Sequence, residues 1–259
     1  MTPSALPPLT IHEHSPIHSL THCPDMALSY FFHESDFTTG GTIVLDEDTS
    51  KHVIQVLRME RGAELMLTNG RGEKARVVIA DDNRKRCAVQ VQARHTEKPL
   101  APKVTIGVSL VKNAARFEWF LEKATEIGVT EILPLLCART EKEKFRADRL
   151  QGILQSAMLQ SQQCWLPLLH EPVSFEKALT LPAAQRFIAH CDEGSKLPLP
   201  AQLASGTDRL LLIGPEGDFT PKEIEAALAA GFAPAALGDT RLRTETAALA
   251  GATLLRLLA

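Results

Sequence analysis

Near the C-terminal end, an apolar run, Leu210-Leu211-Leu212-Ile213, leads straight into Gly214-Pro215-Glu216-Gly217-Asp218-Phe219. Thr220, with Glu223 three places on, forms a capping box that opens a helix behind this loop. A second loop repeats the design. Leu237-Gly238-Asp239-Thr240-Arg241-Leu242-Arg243 follows a short apolar stretch and passes through Thr244, a natural N-cap, into Glu245-Thr246-Ala247 and an Ala/Leu-rich end. Glycine at 214 and 217 lets main chain approach a ligand, because no side chain stands between. Loops that leave the C-terminal ends of strands are where open α/β sheets bind ligands. Two such loops side by side can surround an adenine and a ribose with backbone N–H and C=O groups. They are not phosphate loops: no Gly-rich segment ends in Gly-Lys-Ser or Gly-Lys-Thr, and no nucleotide-binding G-x-G-x-x-G follows the first strand of that region. Taken singly, Gly214-Pro215 or Leu237-Gly238 reads equally well as a plain strand-to-helix turn.

The elements needed to position these loops are legible upstream. Val104–Val111 reads as a buried strand. Asn113 caps a helix with apolar positions Phe117, Phe120, Leu121, Ala124 and Ile127, stopped by Gly128. Glu131–Leu136, Arg186–His190, Arg209–Ile213 and Ala235–Leu237 read as further strands. Residues 146–162, 221–230 and 244–258 read as helices. Strands alternating with helices predict an α/β unit with a mostly parallel sheet over 103–259. Residues 26–97 differ. Thr42–Leu45, Glu64–Thr68, Lys74–Ala80 and Arg86–Ala93 alternate as strands around the turn signals Asn69-Gly70 and Asp81-Asp82-Asn83, with one helix over Ser50–Leu57 capped by Asp48. Short strands and tight turns predict a small β-barrel. Residues 98–102, with Pro99 and Pro102, read as the linker, and residues 1–25, rich in proline and histidine, as a poorly ordered extension.

Composition bounds the partners. The formal net charge is -3, so any contact with nucleic acid must come from local clusters of Lys and Arg. The five cysteines (Cys23, Cys87, Cys137, Cys164 and Cys191) are odd in number and widely spaced, which argues against a disulfide framework or a zinc site. The histidines of the extension do not change that expectation of no metal, because a flexible tail pre-organises no ligand geometry. No apolar run reaches the roughly 20 residues of a membrane span, and the start lacks a secretion signal, so a cytoplasmic protein is expected.

The run 214–219 with Glu223, Gly231 and Leu237-Gly238…Leu242-Arg243-Thr244-Glu245-Thr246-Ala247 resembles the signature of the SPOUT family that methylates N3 of a uridine in 16S ribosomal RNA. His52-Val53-Ile54-Gln55-Val56-Leu57-Arg58-Met59 with Asn69-Gly70-Arg71-Gly72 is similar to that family's PUA-like N-terminal domain. Glu122-Lys123-Ala124-Thr125-Glu126-Ile127-Gly128-Val129 and Ser156…Gln160-Ser161-Gln162 match its central helices. Position 218 departs from the pattern, with Asp where many relatives carry Gly. The resemblance implies a PUA-like barrel followed by a SPOUT domain with a deep trefoil knot. It also implies bound S-adenosylmethionine and a homodimer working on 16S ribosomal RNA of the small subunit. The cofactor contacts it carries over fall on Ile213, Gly214, Gly217, Leu237, Gly238, Leu242 and Thr244. For the chemistry, Glu216 and Glu245 are candidates to take the N3 proton, and Arg243 to stabilise the resulting anion, since a guanidinium stays charged. Arg58, Arg71, Lys74, Arg76, Lys112, Arg116 and Arg139 are the expected grip on RNA phosphates. Alternatives are a SPOUT enzyme for another ribosomal or transfer RNA nucleotide, and a non-catalytic RNA-binding protein on the same scaffold. A nicotinamide dehydrogenase is disfavoured by the missing fingerprint.

Overall fold

The computed structural model describes residues 28–141, 145–192 and 196–258; the extension 1–25 lies outside them. The N-terminal part contains β1 (Tyr30–Phe32), β2 (Thr42–Val44), α1 (Glu47–Lys51), a π-helical turn (His52–Val56), β3 (Glu64–Thr68), β4 (Glu73–Asp81) and β5 (Ala88–Thr96). The strands form one curled sheet in the order β1-β3-β4-β5-β2. It is antiparallel except for the parallel β1–β3 pair. Alternation explains it: Ala75, Val77 and Ile79 of β4 and Val89 and Val91 of β5 turn inward onto Phe37, Leu45, Val53, Leu65 and Leu67. The helix cap is Asp46, whose carboxylate accepts from Thr49 N at 2.8 Å, and not Asp48. Asp48 sits inside the first turn, where a carboxylate still suits the helix dipole.

The C-terminal part runs β6 (Val104–Ser109), α2 (Ala114–Glu126), β7 (Glu131–Leu136), α3 (Ala147–Gln160), β8 (Leu168–Leu169), β9 (Val173–Ser174), α4 (Phe175–Ala178), β10 (Gln185–Ala189), β11 (Leu197–Pro198), a 3-10 turn (Leu199–Gln202), β12 (Arg209–Ile213), α5 (Pro221–Ala229), β13 (Ala233–Ala236) and α6 (Thr244–Leu257). The sheet order is β11-β13-β10-β12-β6-β7-β8, with β9 also on β7, and every pair is parallel. Both faces are covered, as continuous apolar strands require. On one face α2, α3 and α6 pack over Ile106, Val108, Leu211 and Ile213; on the other Phe175, Phe219 and Ile224 pack over Leu133, Leu135, Leu210 and Leu212. Asn113 caps α2 as expected, accepting from Ala115 N at 3.0 Å. Arg209 is buried at the start of β12 and donates to the carbonyls of Leu255 (2.7 Å), Ala204 (2.6 Å) and Leu258 (3.2 Å). Thus α6 ends where β12 begins.

The two parts touch beyond the linker. Gly72 N donates to Cys164 O at 2.7 Å, Leu166 N to Gly70 O at 2.9 Å, and Arg71 bridges Trp165. Gly72 has φ +91, and a Cβ there would lie 2.2 Å from the Trp165 ring and 2.9 Å from the Glu97 carbonyl, so only glycine fits. Cys87, Cys137 and Cys164 are free and buried, and burial pushes their thiols up to about 11, 12 and 12. They behave as small apolar side chains.

Candidate active site

Three consecutive strands of the order β13-β10-β12 end together. Ala189 pairs with Ile213 and Ile188 with Pro234, so the residues just beyond these strands stand side by side. The loops that follow enclose a cavity of about 630 Å³. That size suits a nucleoside-like ligand, and its position over carboxyl ends of parallel strands is where such folds bind ligands.

Of the residues expected to hold cofactor, Ile213, Gly214, Leu237, Gly238, Leu242 and Thr244 line this cavity. Gly217 does not. A Cβ on it would make only an ordinary contact with the Arg139 side chain at 3.4 Å, whereas one on Gly214 would lie 3.1 Å from Phe219, so Gly214 also serves protein packing. Gly238 opens onto space, with no atom within 4 Å of where a Cβ would be and φ +133. Thr244 is not the helix cap. Arg243 occupies that position in extended conformation, and Thr244, now the first helical residue, donates its hydroxyl to Gly214 O at 3.0 Å.

The candidates for chemistry separate. Arg243 and Glu216 line the cavity. Arg243 is exposed and has no ion-pair partner among the described residues. Glu216 Oε1 accepts a long bond, 3.4 Å, from Lys112 N. Glu245 lies outside the cavity lining and is buried, with Oε1 3.6 Å from Arg116 Nε and Oε2 unpartnered among the described residues. Its place in the first turn of α6 also suits the helix dipole.

The 214–219 loop is braced from outside. Arg139 donates to Gly217 O at 2.6 Å and Phe219 O at 3.4 Å. Glu223 completes the capping box with Thr220 and accepts from Ala138 N at 2.8 Å. Asp218 has φ +63, a left-handed conformation that Asp tolerates better than most side chains. Its carboxylate accepts from Phe219 N at 2.8 Å and Cys191 N at 2.7 Å, so this departure from the family pattern ties two cavity loops together.

Ala189, His190, Cys191 and Lys196 form the cavity wall that sequence reading missed, with Asp218, Asp239, Thr240 and Arg241. Nothing in the composition of 189–196 marks a site. The signal was the strand order, which puts the β10 loop between the other two. Burial, then the Lys196 charge, holds the His190 imidazole below its ordinary pKa. Lys196 Nζ donates to the carbonyls of His190 and Asp192. Among the described residues no group of His, Cys, Asp and Glu is placed to hold a metal ion, and no helix is long and apolar enough to cross a membrane.

The expected RNA contacts lie in varied settings. Arg58 (φ +53) and Arg76 are exposed and lack ion-pair partners among the described residues. Arg71 pairs with Asp36 at 2.7 Å, Lys74 with Glu97, Lys112 with Glu141 at 3.1 Å. Arg116 and Arg139 are engaged with Glu245 and the 214–219 loop.

Comparison with known proteins agrees with this arrangement. Residues 96–256 match the model of an RNA methyltransferase domain, and residues 45–92 that of an RNA methyltransferase PUA domain. The ribosomal RNA small subunit methyltransferase E of Mycobacterium bovis is 30% identical over 235 residues, covering 86% of this chain and 89% of that protein. The crystal structure of a probable rRNA-methyltransferase from Porphyromonas gingivalis superposes with a TM-score of 0.83 and 38% identity, covering 89% of this chain and 98% of that one. The Neisseria gonorrhoeae ribosomal RNA small subunit methyltransferase E, solved bound to S-adenosyl methionine, gives a TM-score of 0.79 at 26% identity, with 89% and 98% covered.

Proposed function

The chain belongs to the ribosomal RNA small subunit methyltransferase E family, and from that premise we propose that it transfers a methyl group from S-adenosylmethionine to N3 of a uridine in 16S ribosomal RNA. The single observation that carries the reading is the cavity over β13, β10 and β12, lined by six of the seven residues expected to hold that cofactor. Its fit rests on features of the fold. Gly238 leaves open space where a Cβ would stand, and the loops after β12, β13 and β10 all line the cavity.

A bound sulfonium cofactor supplies an activated methyl group and its own leaving group. The protein's own work is positioning and proton control. Uracil N3 lies on the Watson–Crick edge, so the base must stand unpaired before it enters. Glu216, which lines the cavity, accepts the N3 proton in this proposal. Arg243, exposed at the cap of α6 and lining the cavity, stabilises in this proposal the negative charge left on the ring. Glu245, held near Arg116, positions the start of α6.

The proposal extends to architecture. Residues 26–97 are taken as a PUA-like barrel that grips RNA, with Arg58 and Arg76 among its cations that make no ion pair among the described residues; 98–102 link it to a catalytic SPOUT domain over 103–259. The closing segment threads as a trefoil knot. In support, α6 starts beside Gly214 and ends on Arg209, so after crossing to β13 the chain returns along the whole of β12. Two copies pair through α2 and α6, which pack together and expose Trp119, Leu257 and Leu258. The enzyme works in the cytoplasm, where ribosomal subunits are made.

The test is to incubate the protein with radiolabelled S-adenosylmethionine and either naked 16S RNA or small subunits. Sites are then mapped by reverse transcription, which a methyl on the pairing edge blocks. A single stop at a uridine, with 3-methyluridine in the digested nucleosides, is expected. Transfer to a ribose or to another base would overturn the assignment of N3.

A further inference from the structure

The segment that leads into α6 alternates. Arg241 is exposed, Leu242 half-buried, Arg243 exposed and Thr244 buried, and Arg243 is in extended conformation. That burial pattern is the pattern of an extended chain, in which alternate side chains share a side and stand about 7 Å apart along it. Leu242 turns to the protein, and the two arginines share the outer side. Both line the cavity. The lysines and arginines of the cavity wall are Lys196, Arg241 and Arg243. Lys196 donates to two main-chain carbonyls, those of His190 and Asp192. Arg243 serves the reacting base in the reading above. Arg241 makes no ion pair among the described residues, so its charge is still available. Other exposed arginines are solvated surface; this one stands on the cavity wall, two residues from the group assigned to the base.

The chemistry of the substrate says what such a charge meets. A base that is turned out of its strand to be methylated stays joined to its ribose and phosphate. With the base inside the cavity, the phosphate is left at the mouth with a full negative charge. A guanidinium binds phosphate through paired N–H donors. We propose that Arg241 is a substrate-binding residue, which holds the backbone phosphate of the nucleotide whose base enters the cavity. This rests on the reading of the cavity as the site of RNA methyl transfer and deepens it, whichever base atom takes the methyl group. The cofactor brings one other anion, the carboxylate of its methionine end, and the test separates the two.

The experiment measures methyl transfer to 16S RNA and to small ribosomal subunits that lack the modification, using the full-length protein as wild type, Arg241→Ala and Arg241→Lys. Calorimetry with S-adenosylmethionine and filter binding of 16S RNA over a range of salt accompany it. Arg241 is exposed, so both variants should keep the fold, and matching urea midpoints check this. In Arg241→Ala the KM for RNA is expected to rise about tenfold, while kcat and cofactor affinity stay within about twofold. The slope of log affinity for RNA against log salt should become shallower by about one. Arg241→Lys keeps the charge without the paired donors and should recover part of the loss. An unchanged KM and salt slope would overturn the inference. So would a loss of cofactor affinity, which assigns Arg241 to the methionine carboxylate, or a fall in kcat at constant KM, which assigns it to the reacting base. Each of these leaves the methyl-transfer site standing. Wild type that binds the cofactor and methylates no RNA would overturn both.

Discussion

The Thr244 hydroxyl donates a 3.0 Å hydrogen bond to the Gly214 carbonyl, so the first residue of α6 fastens the loop that leaves β12. Both groups are buried. Thr244→Val keeps the branched shape and removes the donor, leaving the carbonyl unpaired. A stability loss of about 1–2 kcal/mol is expected in urea denaturation. The cavity wall loosens with it, and calorimetry should find S-adenosylmethionine bound roughly fivefold more weakly. Thr244→Ser should recover most of both.

Arg243 makes no ion pair among the described residues and faces the cavity, so its removal should cost little stability. Arg243→Ala is expected to lower the methyl-transfer rate by roughly a hundredfold while cofactor affinity changes less than about threefold. Single-turnover rates set against calorimetric affinities separate the two. Equal losses in rate and affinity would show that Arg243 holds cofactor and does not serve the reacting base.

Much of this was readable beforehand, and the reasons are local. β7 and β12 fall on the expected residues because each is a short, strongly apolar run, and α2 starts at the Asn113 cap the sequence advertises. The capping box at Thr220 and Glu223 is present as read. What escaped depends on distant neighbours. β8, β9 and β11 are two residues each, too short to show a period. Gly217 reads as a ligand glycine, yet it stays off the cavity lining, with its carbonyl held by Arg139, far upstream in the chain. The residues of the β10 loop that line the cavity, His190, Cys191 and Lys196, match no ligand motif, and only the strand order makes them a wall of the cavity.

His190 also gives a pH signature. Its folded pKa is depressed below the ordinary 6.5, with burial first and then Lys196 opposing protonation, and Asp218 and Asp192 favouring it. Below about pH 6.5 the unfolded chain therefore takes up a proton that the folded protein resists, and stability falls as pH falls until the folded value is passed. Above that window the residue contributes no slope. Comparing urea midpoints at about pH 7.5 and about pH 5, wild type should lose more stability than His190→Phe. Parallel losses would mean the ring titrates normally in the folded state.

Arg209 is buried and donates from its two terminal nitrogens to three carbonyls, two of them at the end of α6. Arg209→Met conserves length and apolar contact but leaves those carbonyls without it. Destabilisation of roughly 3 kcal/mol is expected, read from chemical denaturation.

The junction between the two parts has a mechanical consequence. The chain passes from one to the other through residues 98–102, and the contacts of Gly70, Arg71 and Gly72 with Cys164, Trp165 and Leu166 make a second crossing. A body hung on one strap can swivel; one fixed at two points has lost that freedom unless a fastening opens. The glycine at 72 lets the Trp165 ring sit flush against the main chain, so the fastening has no slack. Any long polymer gripped by the N-terminal sheet is therefore presented to the cavity at an angle the protein dictates, like a workpiece clamped in a jig before the tool descends.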